Sequence, residues 1–215
     1  MTTIKFCGLT RSEDAAFAAE LGASHVGAIF APSARKVSAE TASMLFAAAG
    51  ASVMHVGVFG SSSADEVAAI AEAVGLDVVQ LHGPVDDDFL AILRKSFSGD
   101  IWPVVGVEDS VAEAAARVAA ARHASAVVLD TARGGRTGGT GEQFDWAGLS
   151  EHLPVSGRIP IVVAGGLTPL NVAVAIAALR PDIVDVSSGV ESAPGIKDHN
   201  LMRAFAEAVH SASMV

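Results

Sequence analysis

The sequence predicts an α/β protein in which eight parallel strands close into a barrel inside a ring of eight helices. Three observations carry that expectation. Short β-branched or apolar runs alternate with Ala-rich amphipathic stretches along the whole chain, the repeat that builds a parallel sheet covered by helices. There are eight such runs, the number that closes a β/α barrel. The 215 residues suffice for a barrel with tight loops, and no Pro/Gly/Ser-rich linker divides them. The reading is therefore one barrel domain over residues 1–215. An open doubly wound sheet is the rival, but no G-x-G-x-x-G follows the first strand, which weakens it.

Taken in order, the strands are expected at 3–7, 25–30, 53–59, 77–82, 101–107, 125–130, 159–164 and 182–187. Helices are expected near 11–21, 39–50, 63–75, 86–97, 109–122, 145–152, 168–179 and 198–211. Ser38, Asp86 and Thr168 are placed to cap free amides at helix starts. Pro169 fits just inside the seventh helix, where its missing N–H is no loss. The run Asp86-Asp87-Asp88 reads as a solvated helix start favoured by the dipole.

Composition narrows the function. Hydrophobic residues make up 51% and aromatics 5%, the balance of parallel strands and Ala-rich helices packed with small aliphatic side chains. The net charge is -10 with no basic run, which argues against nucleic acid or an anionic membrane as partner. An anionic ligand would need a locally built positive site, from backbone amides and a few arginines. Cys7 is the only cysteine, so no intrachain disulfide forms. There is no signal-peptide pattern and no apolar run of ~18 residues. A soluble cytoplasmic protein is the simplest expectation.

In such barrels chemistry sits at the C-terminal ends of the strands. Here those ends are Cys7, Phe30, Phe59, His82, Val107, Asp130, Ala164 and Ser187. Cys7 and His82 carry protons at useful pKa values, and Asp130 does so if its environment tunes it. Each also has a plainer reading. A lone strand cysteine is often a small buried hydrophobe. An aspartate before a Gly-rich loop can simply cap a turn. His82 can orient a neighbour or pack in the barrel mouth, and Arg35 can be a solvated loop charge. Arg133 and Arg136 read as solvent-facing, and the other histidines show no metal-ligand spacing.

The phosphate-binding face of such barrels lies in the loops after strands seven and eight. Gly165-Gly166 and Ser188-Gly189 stand there, and glycine lets backbone N–H groups approach an anion. The loop Gly138-Gly139-Thr140-Gly141 can close over the same ligand, through Gly139 and Gly141. Inside the barrel, Lys5 and Cys7 share a face of the first strand, and Asp185 and Ser187 share a face of the eighth. These strands are neighbours in a closed barrel. A buried lysine without a partner would lose its charge, so Lys5 is expected to pair with Asp185.

Read together, Lys5-Phe6-Cys7-Gly8, Ser33-Ala34-Arg35-Lys36-Val37, Gln80-Leu81-His82-Gly83, Leu129-Asp130-Thr131, Gly138-Gly139-Thr140-Gly141 with Phe144-Asp145-Trp146, Ala164-Gly165-Gly166-Leu167, and Asp185-Val186-Ser187-Ser188-Gly189-Val190-Glu191 followed by Pro194-Gly195-Ile196-Lys197-Asp198 form an ordered series at successive strand exits. That series resembles the phosphoribosylanthranilate isomerase family from about Lys5 to Asp198. The resemblance implies an Amadori rearrangement of N-(5-phosphoribosyl)anthranilate within tryptophan biosynthesis. It implies Cys7 as general base, Asp130 as general acid, and Arg35 as holder of the anthranilate carboxylate. It implies a small-molecule phosphosugar-anthranilate substrate, a monomer or homodimer, and no metal or organic cofactor, since the substrate's own nitrogen serves as electron sink. Two positions depart from the family pattern. Phe6 replaces an aliphatic residue and is expected to face the helix layer, and Ala34 replaces a frequent proline.

The acid requires a carboxyl kept protonated by burial, and the base requires a thiolate, which a positive neighbour such as Lys5 favours. Two other function classes remain. A different phosphate-binding barrel enzyme, such as indoleglycerol-phosphate synthase, would share the glycine loops but would want a lysine acid at the first strand's exit. A non-catalytic binding barrel would keep the loops and could lose either proton-transfer residue.

Overall fold

The computed structural model describes residues 1–83, 85–107, 110–120, 124–133, 136–137, 145–153 and 159–213. Eight parallel strands form the barrel: β1 (Thr3–Phe6), β2 (His25–Ile29), β3 (Met54–Phe59), β4 (Val78–Leu81), β5 (Asp100–Val107), β6 (Val127–Arg133), β8 (Ile161–Val163) and β9 (Ile183–Val186). Between β6 and β8 in the chain lies β7 (Arg136–Thr137), a short strand that pairs antiparallel with β6. Pairing runs from β1 through β6 to β8 and β9, and β9 returns to β1. The sheet is thus closed and has no exposed barrel edge, and the fold is a TIM barrel.

The outer ring comprises α1 (Ser12–Glu20), α2 (Ala39–Ala49), α3 (Ala64–Val74), α4 (Asp87–Ser96), α5 (Val111–Ala120), α6 (Trp146–Ser150), α7 (Val172–Leu179) and α8 (His199–Ala212). Ser38 accepts from the Thr41 amide at 3.1 Å and Asp86 from the Phe89 amide at 2.8 Å, as expected of capping side chains. The seventh helix corrects the sequence reading. Regular helix begins at Val172 with Asn171 before it, so Pro169 stands ahead of the helix, while the Thr168 hydroxyl does accept from a free amide as expected, that of Leu170 at 3.3 Å. The Thr168 carbonyl still accepts from Val172 N at 3.1 Å, so a turn is wound there. Its start is tied by the Asn171 side chain, which accepts from Thr168 N and donates to the Gly166 carbonyl.

Strand alternation sorts the side chains into two apolar layers. The smaller layer fills the barrel interior and contains Val56, Val78, Trp102, Ala126, Val128 and Val162. The larger lies between strands and helices. Phe6 belongs to the outer layer, as expected from its parity, and its ring meets that of Phe205 on α8 at 6.1 Å. Full burial of such a side chain is worth about 1.5–3 kcal/mol.

Two short features follow β9. A single 3-10 turn spans Ser188–Val190, and a hairpin follows, β10 (Glu191–Ala193) against β11 (Ile196–Lys197). The hairpin is stapled to the barrel by Asp14. Its buried carboxylate accepts from the Arg11 guanidinium at 2.7 and 2.9 Å and from Lys197 N at 3.3 Å, and lies 2.9 Å from His199 Nε2.

Candidate active site

A cavity of about 320 Å3 opens at the C-terminal ends of the strands. Eight of the ten residues singled out from the sequence line it: Cys7, Arg35, His82, Asp130, Gly165, Gly166, Ser188 and Gly189. The other two, Gly139 and Gly141, lie outside the described residues, as do the side chains of Arg133 and Arg136.

At the floor, Lys5 and Asp185 stand side by side in the β1/β9 register. Lys5 Nζ donates to Asp185 Oδ2 at 2.7 Å, with Lys5 fully buried. Burial works against the ammonium, but Asp185, helped by Cys7, outweighs it and raises the Lys5 pKa. The lysine therefore stays charged beneath the cysteine.

Cys7 does not follow the simple expectation of a thiolate. Burial pushes its thiol pKa up, and Asp185 adds to that effect. Lys5 and, more weakly, Lys197 pull it down without prevailing. The resting side chain is the neutral thiol. A positive neighbour favours the thiolate as anticipated, but the desolvation of a fully enclosed sulfur is the larger effect.

Asp130 behaves as a tuned acid. Burial, reinforced by the negative charge of Asp185, raises its pKa to about 7 against a backbone hydrogen bond from Thr131. Near neutral pH a substantial fraction of the carboxyl is protonated. The turn beside it is crowded. A Cβ on Gly165 would overlap Thr131 and come within 2.7 Å of Asp130 Oδ1, and Gly165 has φ +83. Only glycine fits there without strain.

Gly165-Gly166 and Ser188-Gly189 lie on the neighbouring loops after β8 and β9 and line the cavity. A Cβ on Gly189 would overlap the Leu167 carbonyl, so the two loops touch backbone to backbone. Such an arrangement leaves main-chain groups, not side chains, as the wall presented to an anion. His82 is neutral, since burial and then Lys5 lower its pKa to about 4. Its Nε2 lies 3.2 Å from Gln80 Nε2. A neutral imidazole there can share a hydrogen bond but is not a proton store at neutral pH.

Arg35 reaches over Gly8 toward the cavity, and it is not the loosely solvated cation that its loop position suggested. Its Nε and Nη2 donate to Glu191 Oε1 and Oε2 at 2.8 and 2.7 Å. Glu191 Oε1 also accepts from Lys197 Nζ at 2.9 Å, and that ammonium donates to the Ser187 carbonyl at 3.0 Å. Sequence reasoning gave Glu191 and Lys197 no role. The available signal was the Pro194-Gly195 turn between them, which folds the two side chains onto one another.

Among the described residues no group of three or more His, Cys, Asp and Glu side chains is placed to hold a metal ion, and no helix is long and apolar enough to cross a membrane.

A closed β/α barrel with a buried carboxyl, a thiol and glycine loops around one cavity at its mouth places the chain in the class of TIM-barrel proteins. Within that class the sequence is specific. Residues 4–208 match the family model described as N-(5'phosphoribosyl)anthranilate (PRA) isomerase. The isomerase of Pseudomonas fluorescens strain SBW25 is 41% identical over 210 residues, covering 97% of this chain and 96% of that one. The crystal structure of the isomerase from Thermotoga maritima superposes with a TM-score of 0.85 at 34% identity, covering 98% of this chain and 100% of that one. A solved isomerase in complex with reduced 1-(o-carboxyphenylamino)-1-deoxyribulose 5-phosphate gives a TM-score of 0.82 at 32% identity, with coverage of 98% and 100%. The chain belongs to the PRA isomerase family.

Proposed function

We propose that the chain converts N-(5-phosphoribosyl)anthranilate to 1-(2-carboxyphenylamino)-1-deoxyribulose 5-phosphate, the Amadori step of tryptophan biosynthesis. The observation that carries this reading is the placing of Asp130 and Cys7 on one cavity, the carboxyl tuned to about 7.

Asp130 donates its proton to the furanose ring oxygen as the C1–O bond breaks. The anilino nitrogen supplies its lone pair to C1, and an iminium ion results. Cys7, as thiolate, then removes the C2 proton. The C–H electrons form the C1–C2 bond's second pair, the iminium is neutralised, and the enaminol tautomerises to the ketone. The nitrogen is the electron sink, so the cycle needs no organic cofactor.

The thiol and acid are set in a reversed order of acidity. The reactive pairing of protonated Asp130 with deprotonated Cys7 is a minor form of the free protein. General acid–base catalysis tolerates this, because the minor form holds the stronger base and the stronger acid. Lys5 lies beneath to receive the developing thiolate charge.

For binding, Arg35 is assigned to the anthranilate carboxylate, and Gly165, Gly166, Ser188 and Gly189 to the phosphate. Gly139 and Gly141 are assigned to the loop that closes over it, and His82 to the cavity wall. A monomer or homodimer is consistent with a cavity built within one chain.

The test is the decay of substrate fluorescence, with phosphoribosylanthranilate generated freshly and purified protein added. A first-order loss far above the spontaneous rate, with formation of the ketose product, is expected. Loss at the spontaneous rate would overturn the assignment in favour of a binding barrel or a different phosphosugar reaction.

A further inference from the structure

The Arg35–Glu191–Lys197 cluster joins the two ends of the cavity. Arg35 comes from the loop after β2, and Glu191 from the hairpin that follows the Ser188-Gly189 turn. We infer that Glu191 is a positioning residue that holds the Arg35 guanidinium in the orientation that receives the ring carboxylate, so that it sets the preference for carboxylate-bearing ligands. The inference rests on the reading of Arg35 as the carboxylate anchor.

The geometry is specific. Glu191 takes the Nε and Nη2 edge of the guanidinium in two parallel bonds of 2.8 and 2.7 Å. This fork-to-fork pairing fixes the plane of the group as well as its place. Nη1 is left out of that pair and is available to a ligand. The arginine stem is confined as well: a Cβ added at Gly8 would come within 2.6 Å of Arg35 Cδ, and Gly8 adjoins Cys7. The guanidinium is thus guided along the strand-one turn and clamped at its far edge.

Charge explains why the clamp does not cancel the site. Glu191 lies between two cations, Arg35 and Lys197. One carboxylate against two positive groups leaves a net positive cluster on an acidic chain. Lys197, itself fully buried at the side chain, also ties Glu191 to the Ser187 carbonyl. The carboxylate is therefore fixed to the segment that bears the proposed phosphate turn. The spacing between the two anionic groups of a ligand is built into this link.

The experiment compares two ligands: the reduced product analogue, and its anilino counterpart lacking the ring carboxylate. Affinities are measured for the wild type, Arg35→Ala, Glu191→Gln and the double variant. Arg35→Ala should remove the preference for the carboxylate-bearing ligand. Glu191→Gln should lower that preference at least ~10-fold, equivalent to about 1.4 kcal/mol, with little change for the anilino ligand. It should raise KM more than it lowers kcat. The double variant should be no worse than Arg35→Ala, because Glu191 acts through the arginine. Should Glu191→Gln not fold, Glu191→Asp keeps the charge but cannot span both guanidinium nitrogens, and a partial loss of preference is expected. A wild-type preference in either Glu191 variant overturns the inference while leaving the Arg35 reading intact. So do equal losses for both ligands, or losses that multiply in the double variant. An unchanged preference in Arg35→Ala overturns the anchor reading itself.

Discussion

The two buried lysines make an instructive pair. Lys5 and Lys197 have side chains with no exposure, and each ammonium touches a carboxylate within 3 Å. Yet their proton affinities move in opposite directions. Burial is the largest single effect on Lys5 and lowers it, but Asp185 and Cys7 together outweigh it and raise the pKa. Burial is the largest effect on Lys197 as well, and there Glu191 and Cys7 do not outweigh it, while the Arg35 charge adds to the lowering. Contact distance does not decide the protonation of a buried group. The balance of burial against all neighbouring charges decides it, and a like charge, Arg35, stands only among the neighbours of Lys197. Lys5 is a fixed charge beneath Cys7, whereas Lys197 and Arg35 share one carboxylate, Glu191.

The largest expected effect breaks or confirms that contrast directly. Lys5→Met strands the Asp185 carboxylate, whose Oδ1 already lacks a hydrogen-bond partner. Leaving a buried charge unpaired typically costs ~3–5 kcal/mol. Lys197→Met leaves Glu191 with its two bonds to Arg35, so its cost should be less than half as great. The double change Lys5→Met with Asp185→Leu should recover part of the first loss but not activity. Urea unfolding at neutral pH measures all three. Equal losses for the two lysines would mean that sharing of the counter-ion is irrelevant.

Next in size are Asp130 and Cys7, the proposed proton-transfer groups above the pair. Asp130→Asn and Cys7→Ala should each lower turnover by at least ~100-fold, while binding of the reduced product analogue survives. Asp130 also makes a stability prediction whose sign is fixed. Its folded pKa of about 7 lies above the ordinary value near 3.9. Between those limits the native state holds a proton that the unfolded chain has lost, so stability falls as pH rises from about 4 to about 7. Above that window the buried carboxylate is a standing penalty. Asp130→Asn removes it. The variant should be more stable than the wild type at pH 8, and the gain should shrink toward pH 4. Thermal melts across that range check this, and a gain independent of pH would show that Asp130 is not a raised carboxyl.

The same residues show what the sequence carries and what it hides. Lys5 and Asp185 could be paired in advance, because strand parity and barrel closure fix which residues face each other across β1 and β9. Phe6 could be sent to the helix layer by the same parity. The Arg35–Glu191 clamp spans 156 residues and joins two loops, where no period constrains side-chain direction. The start of α7 was misplaced for a related reason. Thr168 and Pro169 carry the local signs of a helix start, but the turn there is tied back to the Gly166 carbonyl by Asn171, and regular helix waits until Val172. The neutral state of Cys7 was hidden as well. It depends on how completely the sulfur is enclosed, a quantity of depth and not of pattern.

The smallest effect is the finest probe of the two lysines. Both lower the Cys7 pKa, and Lys5 does so more strongly than Lys197. The thiolate is the species that alkylating reagents attack, so the alkylation rate against pH reports the Cys7 titration. The wild-type profile should rise only above the ordinary thiol range, since burial dominates. Lys5→Met should move it further toward alkaline pH. Lys197→Met should move it in the same direction by a smaller amount. An Asp185→Leu change should act in the opposite sense, because the Asp185 charge disfavours the thiolate, although it also releases Lys5 from its partner. Each shift is read against the intact fold, verified by circular dichroism at every pH used. Profiles that coincide for all variants would show that the thiol responds to its enclosure alone, and that Lys5 serves the stability of the barrel floor without tuning the base above it.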